Sequence, residues 1–489
     1  MVPSTYQKVI FNFITNGIGN AIVNAVAGSG KTTTLIESLK LTVGRVLFLA
    51  FNKSIATELQ KRAPKNVECS TLHSAGFSLL RSFLGRVKVD NYKVDNIMDG
   101  YIPLMRKPSI KGAEATALYA DRGVVKKMVS YVKAGLIDYN DADAMAELSN
   151  YYGVDDYAER HLPMIQYVIE KNNESKHSID FDDMIYLPVV LKMKSKVTYD
   201  WIFVDESQDL NRSQIELVLS LTSGTGRVVC VGDPKQSIYG FRGADCGAMD
   251  RIKTALNATE FPLSVCYRCP TSVLDIARNI VPAIEARENA EKGEVVTIKV
   301  DSFVDTLTAE KAEDTLVLCR TNSELVGYAL RLISKGFKAV IKGRDIGKGL
   351  ISLVKKFRCH SVEELELNLS SWKSKEISKL SKRQNADNAI QLVNDKYDCI
   401  MAVIDGCDTV YCVTNKLESL FSDNNLSGYI FSSVHKAKGL EADNVYILSP
   451  NKMPLVWKNQ QAWEAEQEMN IKYVAVTRAL KKLIWVGGK

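Results

Sequence analysis

At 489 residues the chain exceeds what one hydrophobic core organises and is long enough for two to four domains. Its 46% hydrophobic and 25% charged content is the balance of an ordinary soluble globular protein, and a formal charge of +6 is only a mild bias toward polyanions. No uninterrupted apolar run reaches the length of a membrane span, and residues 1–7 lack the basic start and apolar stretch of a signal peptide, so a soluble, cytoplasmic protein with no membrane partner is expected.

In chain order, short apolar runs at 21–26, 46–50, 201–204 and 228–231 alternate with helical stretches and predict a parallel sheet covered by helices. A second set at 295–298, 316–319, 429–432, 445–448 and 483–486 predicts another. Two α/β domains follow. The stretches 86–177 and 346–425 read as mainly helical, polar and poor in strand runs, and their size makes them inserted subdomains rather than loops. Of the ten cysteines, Cys230 and Cys319 lie inside apolar runs, so reduced, mostly buried thiols are expected rather than disulfides. Cys266 and Cys269 form a CxxC, but no second pair stands at zinc-finger spacing and no metal is expected there.

The chemistry begins at 25–32, where AVAGSGKT follows the first predicted strand and opens a helix. Gly28 and Gly30 let the backbone N–H groups curl toward phosphates, Lys31 supplies a point charge, and the Thr32 hydroxyl can ligate Mg²⁺. Ala25 stands where the general pattern has glycine, a mismatch that the strand-loop-helix context offsets. Asp205 and Glu206 follow the 201–204 run, at the carboxyl edge where such sheets bind ligands. Asp205 suits the Mg²⁺ shell, and Glu206 suits orienting and deprotonating the water that attacks a γ-phosphate. Gln7 has two readings: a hydrogen bond to an adenine edge, or the far half of a capping box with Ser4.

The stretch VGDPKQSIYGFRGAD at 231–245 joins two requirements. Gln236 can hydrogen-bond a phosphate or its attacking water from the loop that ends the 228–231 strand. Tyr239 and Phe241 alternate with Gly240, and Arg242 adds a cation, which is the stacking-plus-charge kit for single-stranded nucleic acid. The competing account makes both aromatics ordinary core. Its place after a phosphate loop and an Asp-Glu pair favours the sensor and strand-gripping reading.

These residues, with AFNKSIA at 50–56, STLHS at 70–74, DFDDMI at 180–185, VDESQD at 204–209, CYRCP at 266–270, LCRTN at 318–322, VHKAKGLE at 434–441 and YVAVTRA at 473–479, run in the order of one known family. The chain resembles the UvrD/Rep-like branch of superfamily 1 helicases from end to end. The resemblance implies an ATP- and Mg²⁺-dependent DNA helicase or translocase that moves 3′ to 5′ on single-stranded DNA and at single/double-strand junctions, acting as a monomer. An alternative is a translocase that strips proteins from single strands without separating duplex. It implies two RecA-like motor domains with parallel sheets, at 1–85 with 178–265 and at 266–345 with 426–489. Helical insertions at 86–177 and 346–425 would interrupt them, with ATP held between the motors.

By the same resemblance, Ala27, Gly28, Ser29, Gly30, Lys31, Thr32 and Thr33 form the phosphate loop, Tyr267 stacks on adenine, and Glu441 links the ribose side to the DNA side. Gln236 senses the γ-phosphate, and Arg268 and Arg478 reach it from the second motor domain, although either arginine also suits a structural ion pair. Phe51, Asn52, His73, Tyr239, Phe241 and Arg242 fall on strand-facing positions. Phe241 replaces the tryptophan of many relatives, and Met469 and Asn470 stand where many have paired arginines, a feature similar to the F-box-helicase-like branch. Basic residues of the insertions, Arg106, Lys107, Lys111, Lys373, Lys375, Lys379, Lys382 and Arg383, either hold duplex phosphates or form solvated helical faces. The compact insertions suit an enzyme encoded by a phage or mobile element.

Overall fold

The structure, a computed structural model, describes residues 3–105, 112–152, 154, 158–240, 247–308, 310–381, 387–423, 427–458 and 460–487. The residues Phe241, Arg242, Arg106, Lys107, Lys111, Lys382 and Arg383 lie outside that set. The chain divides into two compact units, Met1–Ala25 with Gly30–Ser264, and Val26–Ser29 with Val265–Lys489.

In the first unit the strands are β1 (Ala21–Ala25), β2 (Val46–Ala50), β3 (Val67–Thr71), β4 (Lys88–Val89), β5 (Ser178–Ile179), β6 (Tyr199–Val204), β7 (Thr222–Gly232) and β8 (Thr259–Leu263). Six of them form one sheet in the order β3-β2-β6-β7-β1-β8, every neighbouring pair parallel, while β4 and β5 pair separately. Successive side chains of a strand point to opposite faces, and both faces here are covered. Ile22, Leu47, Leu49, Ile202 and Val204 pack on one side. Val23, Phe48, Trp201, Phe203 and Val231 pack on the other. That double burial explains why these strands read as continuous apolar runs. Helices Lys93–Met105, Gly112–Gly135, Ala142–Tyr151 and Ala158–Glu174 share a separate apolar cluster that includes Met98, Val129, Met145 and Ile165.

In the second unit β9 (Val265–Cys266) pairs with β10 (Glu285–Ala286). The larger sheet has seven parallel strands: β11 (Glu294–Ile298), β12 (Thr315–Cys319), β13 (Ala339–Lys342), β14 (Phe421–Ser422), β15 (Tyr429–Ser433), β16 (Ala442–Leu448) and β17 (Ala479–Val486), in the order β11-β17-β16-β12-β15-β13-β14. Between β13 and β14 the chain runs through helices Arg344–Lys356, Val362–Leu380, Asp387–Ile404 and Val410–Leu420, whose buried faces join the same core as the sheet. Asp395 fastens this helical stretch to the helix that follows β12. Its carboxylate accepts from the backbone N–H of Asn322 at 3.0 Å and of Ser323 at 2.8 Å, the unpaired donors at the start of helix Asn322–Ser334.

Candidate functional site

All strands of a parallel sheet end on the same side, so the order of the first sheet sorts the chemistry along one edge. β3 ends one residue before Leu72 and His73, β2 ends before Phe51 and Asn52, β6 before Asp205 and Glu206, β7 before the Asp233 to Tyr239 loop, and β1 before the phosphate loop. Phe51 and His73 therefore lie toward β2 and β3, and the phosphate-binding groups toward β7 and β1, with the carboxylates of β6 between them.

The phosphate loop has the backbone its sequence demands. Gly28 and Gly30 take φ of 67° and 79°, a left-handed conformation that a Cβ disfavours, and Lys31 then begins the helix Lys31–Leu39. Thr32 and Thr33 lie in its first turn, Thr32 exposed to solvent. Ser29 is buried and its hydroxyl has no hydrogen-bond partner among the described residues, while Ala27 is fully buried. A buried donor without a partner in a loop of turned N–H groups fits an anionic oxygen.

Lys31 Nζ lies 3.5 Å from Glu206 Oε1, so the loop from β1 and the turn after β6 share one ion pair. Glu206 itself sits at φ 52°, uncommon for a residue with a side chain and found where a site holds its backbone under strain. Asp205 is buried and its Oδ1 accepts from the Glu206 N–H at 2.9 Å. Gln208 then bridges two strands: its Nε2 donates to Glu206 Oε2 at 2.6 Å and its Oε1 accepts from the Asp233 N–H at 3.0 Å. Asp233 is buried and passes the link on, accepting from Gln236 Nε2 at 2.6 Å and from the Lys235 N–H at 3.1 Å. Burial raises the Asp233 carboxyl above the usual range against the opposing pull of Lys31. Gln236 is thus connected to Glu206 through Asp233, whose backbone N–H carries the link to Gln208. Gln208 and Asp233 went unnoticed in the sequence, although both lie inside quoted motifs.

Gln7 shows the capping box. Its Oε1 accepts from the Ser4 N–H at 2.9 Å and its N–H donates to Ser4 Oγ, starting helix Thr5–Asn16. Its Nε2 also donates to Thr34 Oγ1 at 2.9 Å, and a Cβ on Gly30 would lie 3.7 Å from it. The buried amide is therefore anchored beside the phosphate loop.

Along the aromatic part of the edge, Phe51 is 47% exposed and its ring lies parallel to that of Tyr239, with centroids 6.1 Å apart and planes at 15°. Asn52 caps the helix Lys53–Arg62, its Oδ1 accepting from the Ile55 N–H. His73 stacks on Phe181, centroids 4.0 Å apart, and Phe181 is 55% exposed. Burial pulls the His73 imidazole down to about 4, so it is neutral at pH 7. Phe181 is a fourth ring on this edge, one its sequence context did not mark. Alone between acidic residues in DFDDMI, it carries no periodic signal.

In the second unit Arg268 Nε lies 2.6 Å from Glu441 Oε2, while its Nη1 donates to the Thr477 carbonyl at 3.4 Å. Arg478 is buried, its Nε donating to the Val474 carbonyl at 2.9 Å and its Nη1 to the Leu440 carbonyl at 3.4 Å. Tyr267 is half-buried between Cys266 and Arg268. Cys266 and Cys269 are both buried, and a hydrogen bond from the Cys269 thiol outweighs burial and pulls Cys266 down to about 6. Among the described residues no group of three or more histidine, cysteine or carboxylate side chains is placed to hold a metal ion. In helix Ala462–Val476, Glu468 and Asn470 are buried, and Arg320 forks onto Glu468 at 2.6–3.1 Å.

The UvrD/REP helicase N-terminal domain matches residues 8–257, the UvrD-like helicase C-terminal domain residues 352–486, and the viral superfamily 1 RNA helicase core domain residues 187–330. A probable DNA helicase II homolog of Mycoplasma genitalium is 27% identical over 58% of this chain and 43% of its own length. F-box DNA helicase protein 1 of Schizosaccharomyces pombe is 25% identical over 94% of this chain and 55% of its own length. The ATP-dependent DNA helicase PcrA of Staphylococcus aureus is 27% identical over 54% of this chain and 38% of its own. The chain spans about half the length of the curated relatives it matches, or less.

Proposed function

Because the chain belongs to the UvrD/Rep helicase family, its N-terminal model alone covering residues 8–257, we propose that it is an ATP-dependent DNA helicase moving 3′ to 5′ along single-stranded DNA. The observation that carries the proposal is the sheet's edge: phosphate chemistry at β1, β6 and β7 lies beside two stacked ring pairs, Phe51 after β2 with Tyr239 after β7, and His73 after β3 with Phe181.

The residues fit Mg²⁺ and ATP: a left-handed glycine loop, a buried Ser29 hydroxyl with no partner among the described residues, and a lysine already facing a carboxylate. Thr32 and Asp205 would hold the metal, which supplies counter-charge to the transferring phosphoryl group. Lys31 exchanges its pairing with Glu206 for the phosphates and so frees the carboxylate. Glu206 then takes the proton of the attacking water, with Gln208 holding its other oxygen. Gln236 orients water and γ-phosphate. Arg268 and Arg478 neutralise charge developing on the phosphoryl oxygens, and Tyr267 and Glu441 hold the base and ribose. Phe51, Asn52, His73, Tyr239, Phe241 and Arg242 grip the strand by stacking and charge. The loop from Gln236 to Phe241 spans both tasks and makes hydrolysis responsive to DNA.

ATP turnover with and without single-stranded DNA tests the proposal. Stimulation by single strands is expected; turnover indifferent to DNA contradicts it.

A further inference from the structure

Four segments of the first unit meet at a buried knot of charge that the nucleotide chemistry does not use. Lys93, at the start of helix Lys93–Met105, points its Nζ at Asp183 Oδ2, 2.7 Å away, and at the Asn172 carbonyl, 3.0 Å away. Lys133, near the end of helix Gly112–Gly135, reaches Asp180 Oδ2 at 2.7 Å, Asp183 Oδ1 at 2.9 Å and Asn172 Oδ1 at 3.1 Å. Asn172, from helix Ala158–Glu174, donates to Asp183 Oδ1 at 2.8 Å. The lysines, Asp183 and Asn172 are buried, and two cations balance two anions. Burial alone would neutralise Asp183, yet the two lysines hold its carboxyl below the usual range.

The carboxylates are not placed at random. The Asp180 N–H donates to Asp183 Oδ2 at 3.1 Å and the Asp183 N–H to Asp180 Oδ1 at 2.8 Å, a reciprocal box that closes around Phe181 and Asp182. Ser130, one turn before Lys133, donates to Asp182 Oδ2 at 2.7 Å. Every residue flanking Phe181 on this turn is therefore tied to the inserted helices. On the other side Gly76 lets the helix carrying His73 approach closely: a Cβ there would lie 1.9 Å from the Met184 carbonyl.

We propose that Lys93 and Lys133 are positioning residues for the strand-binding edge: by clamping Asp180 and Asp183 they set Phe181 against His73, so that the inserted helices control this ring pair. The inference rests on the strand-binding function proposed above and deepens it. A displacement of helices Lys93–Met105 and Gly112–Gly135 moves the cations, and with them the turn that carries the ring. Strand grip thereby becomes sensitive to whatever the insertion touches.

The test compares DNA-stimulated ATP turnover, titrated with an oligothymidylate, in four forms of the full chain: wild type, Lys93→Met/Asp183→Asn, Phe181→Ala, and the three changes together. The double replacement removes one cation and one anion, leaving Lys133 opposite Asp180 rather than a naked buried charge. Half-stimulation should require about tenfold more oligonucleotide in the double replacement, the worth of one stacked base, with turnover at saturation within about twofold. Adding Phe181→Ala should cause no further loss, because both act through one ring. Unchanged half-stimulation, or losses that multiply, overturn the inference. Ser130→Ala, which removes one hydroxyl at the same turn, should shift half-stimulation in the same direction at an unchanged melting temperature; no shift there likewise overturns it. A wild-type chain that DNA does not stimulate overturns the proposed function, and this inference with it.

Discussion

Gln208 Nε2 donates to Glu206 Oε2 at 2.6 Å, so the carboxylate proposed as the base is held by a side chain that also grips the backbone of the next strand's loop. A base fixed at one oxygen presents the other, which faces Lys31 at 3.5 Å. Replacing Glu206 by Gln keeps the shape and removes the proton acceptor. ATP turnover should fall about 10²- to 10⁴-fold while binding of a fluorescent ATP analogue stays close to wild type. Turnover near wild type would remove Glu206 from that role.

Gln208→Met keeps the Glu206 carboxylate but loses both ends of the bridge that holds it. Misplacement of a catalytic group by a fraction of an ångström to one ångström costs up to about 10²-fold, so kcat should drop by about 10- to 100-fold with little change in KM for ATP. A raised KM with normal kcat would place the bridge in nucleotide binding instead.

Phe51 and Tyr239 come from the ends of β2 and β7 and meet as parallel rings. Either Phe51→Ala or Tyr239→Ala should weaken single-strand affinity by about 1–3 kcal/mol, the stacking energy of one base. The double replacement should cost less than the sum, because the two rings form one surface. Fluorescence anisotropy of a labelled oligonucleotide reads both effects.

His73 provides a pH dependence. Its imidazole is pulled by burial from 6.5 to about 4, so between those values the unfolded chain binds the extra proton and the folded chain does not. Stability is full above about pH 6.5 and is lost as the pH falls toward 4. His73→Gln should flatten that part of the profile relative to wild type in urea unfolding at a series of pH values. Parallel profiles for the two proteins would contradict the assignment.

Lys133→Met leaves Asp180 and Asp183 facing one lysine instead of two. Removing one partner of a buried ion network costs about 3–5 kcal/mol, so the melting temperature should fall by several degrees. An unchanged melting temperature would show that the charge is not buried as described.

Nine strands were legible because parallel sheets bury both faces: the run at 46–50 is β2 residue for residue, and the others differ at their ends, most at β7, which begins six residues before its run, whereas β3 and β8, both partly exposed, and β13 and β14 were not read as strands. The phosphate loop was legible for a local reason, since two left-handed glycines, a lysine and a helix start must be contiguous. Gln7 was open between two readings, and the capping box with Ser4 is present. Long-range pairing was not legible. Lys93 and Lys133 stand in polar, helical sequence like that of any solvated face, and their partners lie up to 90 residues away. Gln208 sat inside a recognised motif, but its bridge depends on β6 and β7 being neighbours, which periodicity does not specify.

Strand displacement with ATP, on duplexes carrying a 3′ or a 5′ single-stranded tail, tests the central claim most directly. The account predicts ATP-dependent release from the 3′-tailed duplex, little from the 5′-tailed one, and none with Glu206→Gln. Turnover stimulated by single strands but no release from either duplex would contradict it and assign the chain to translocation without unwinding.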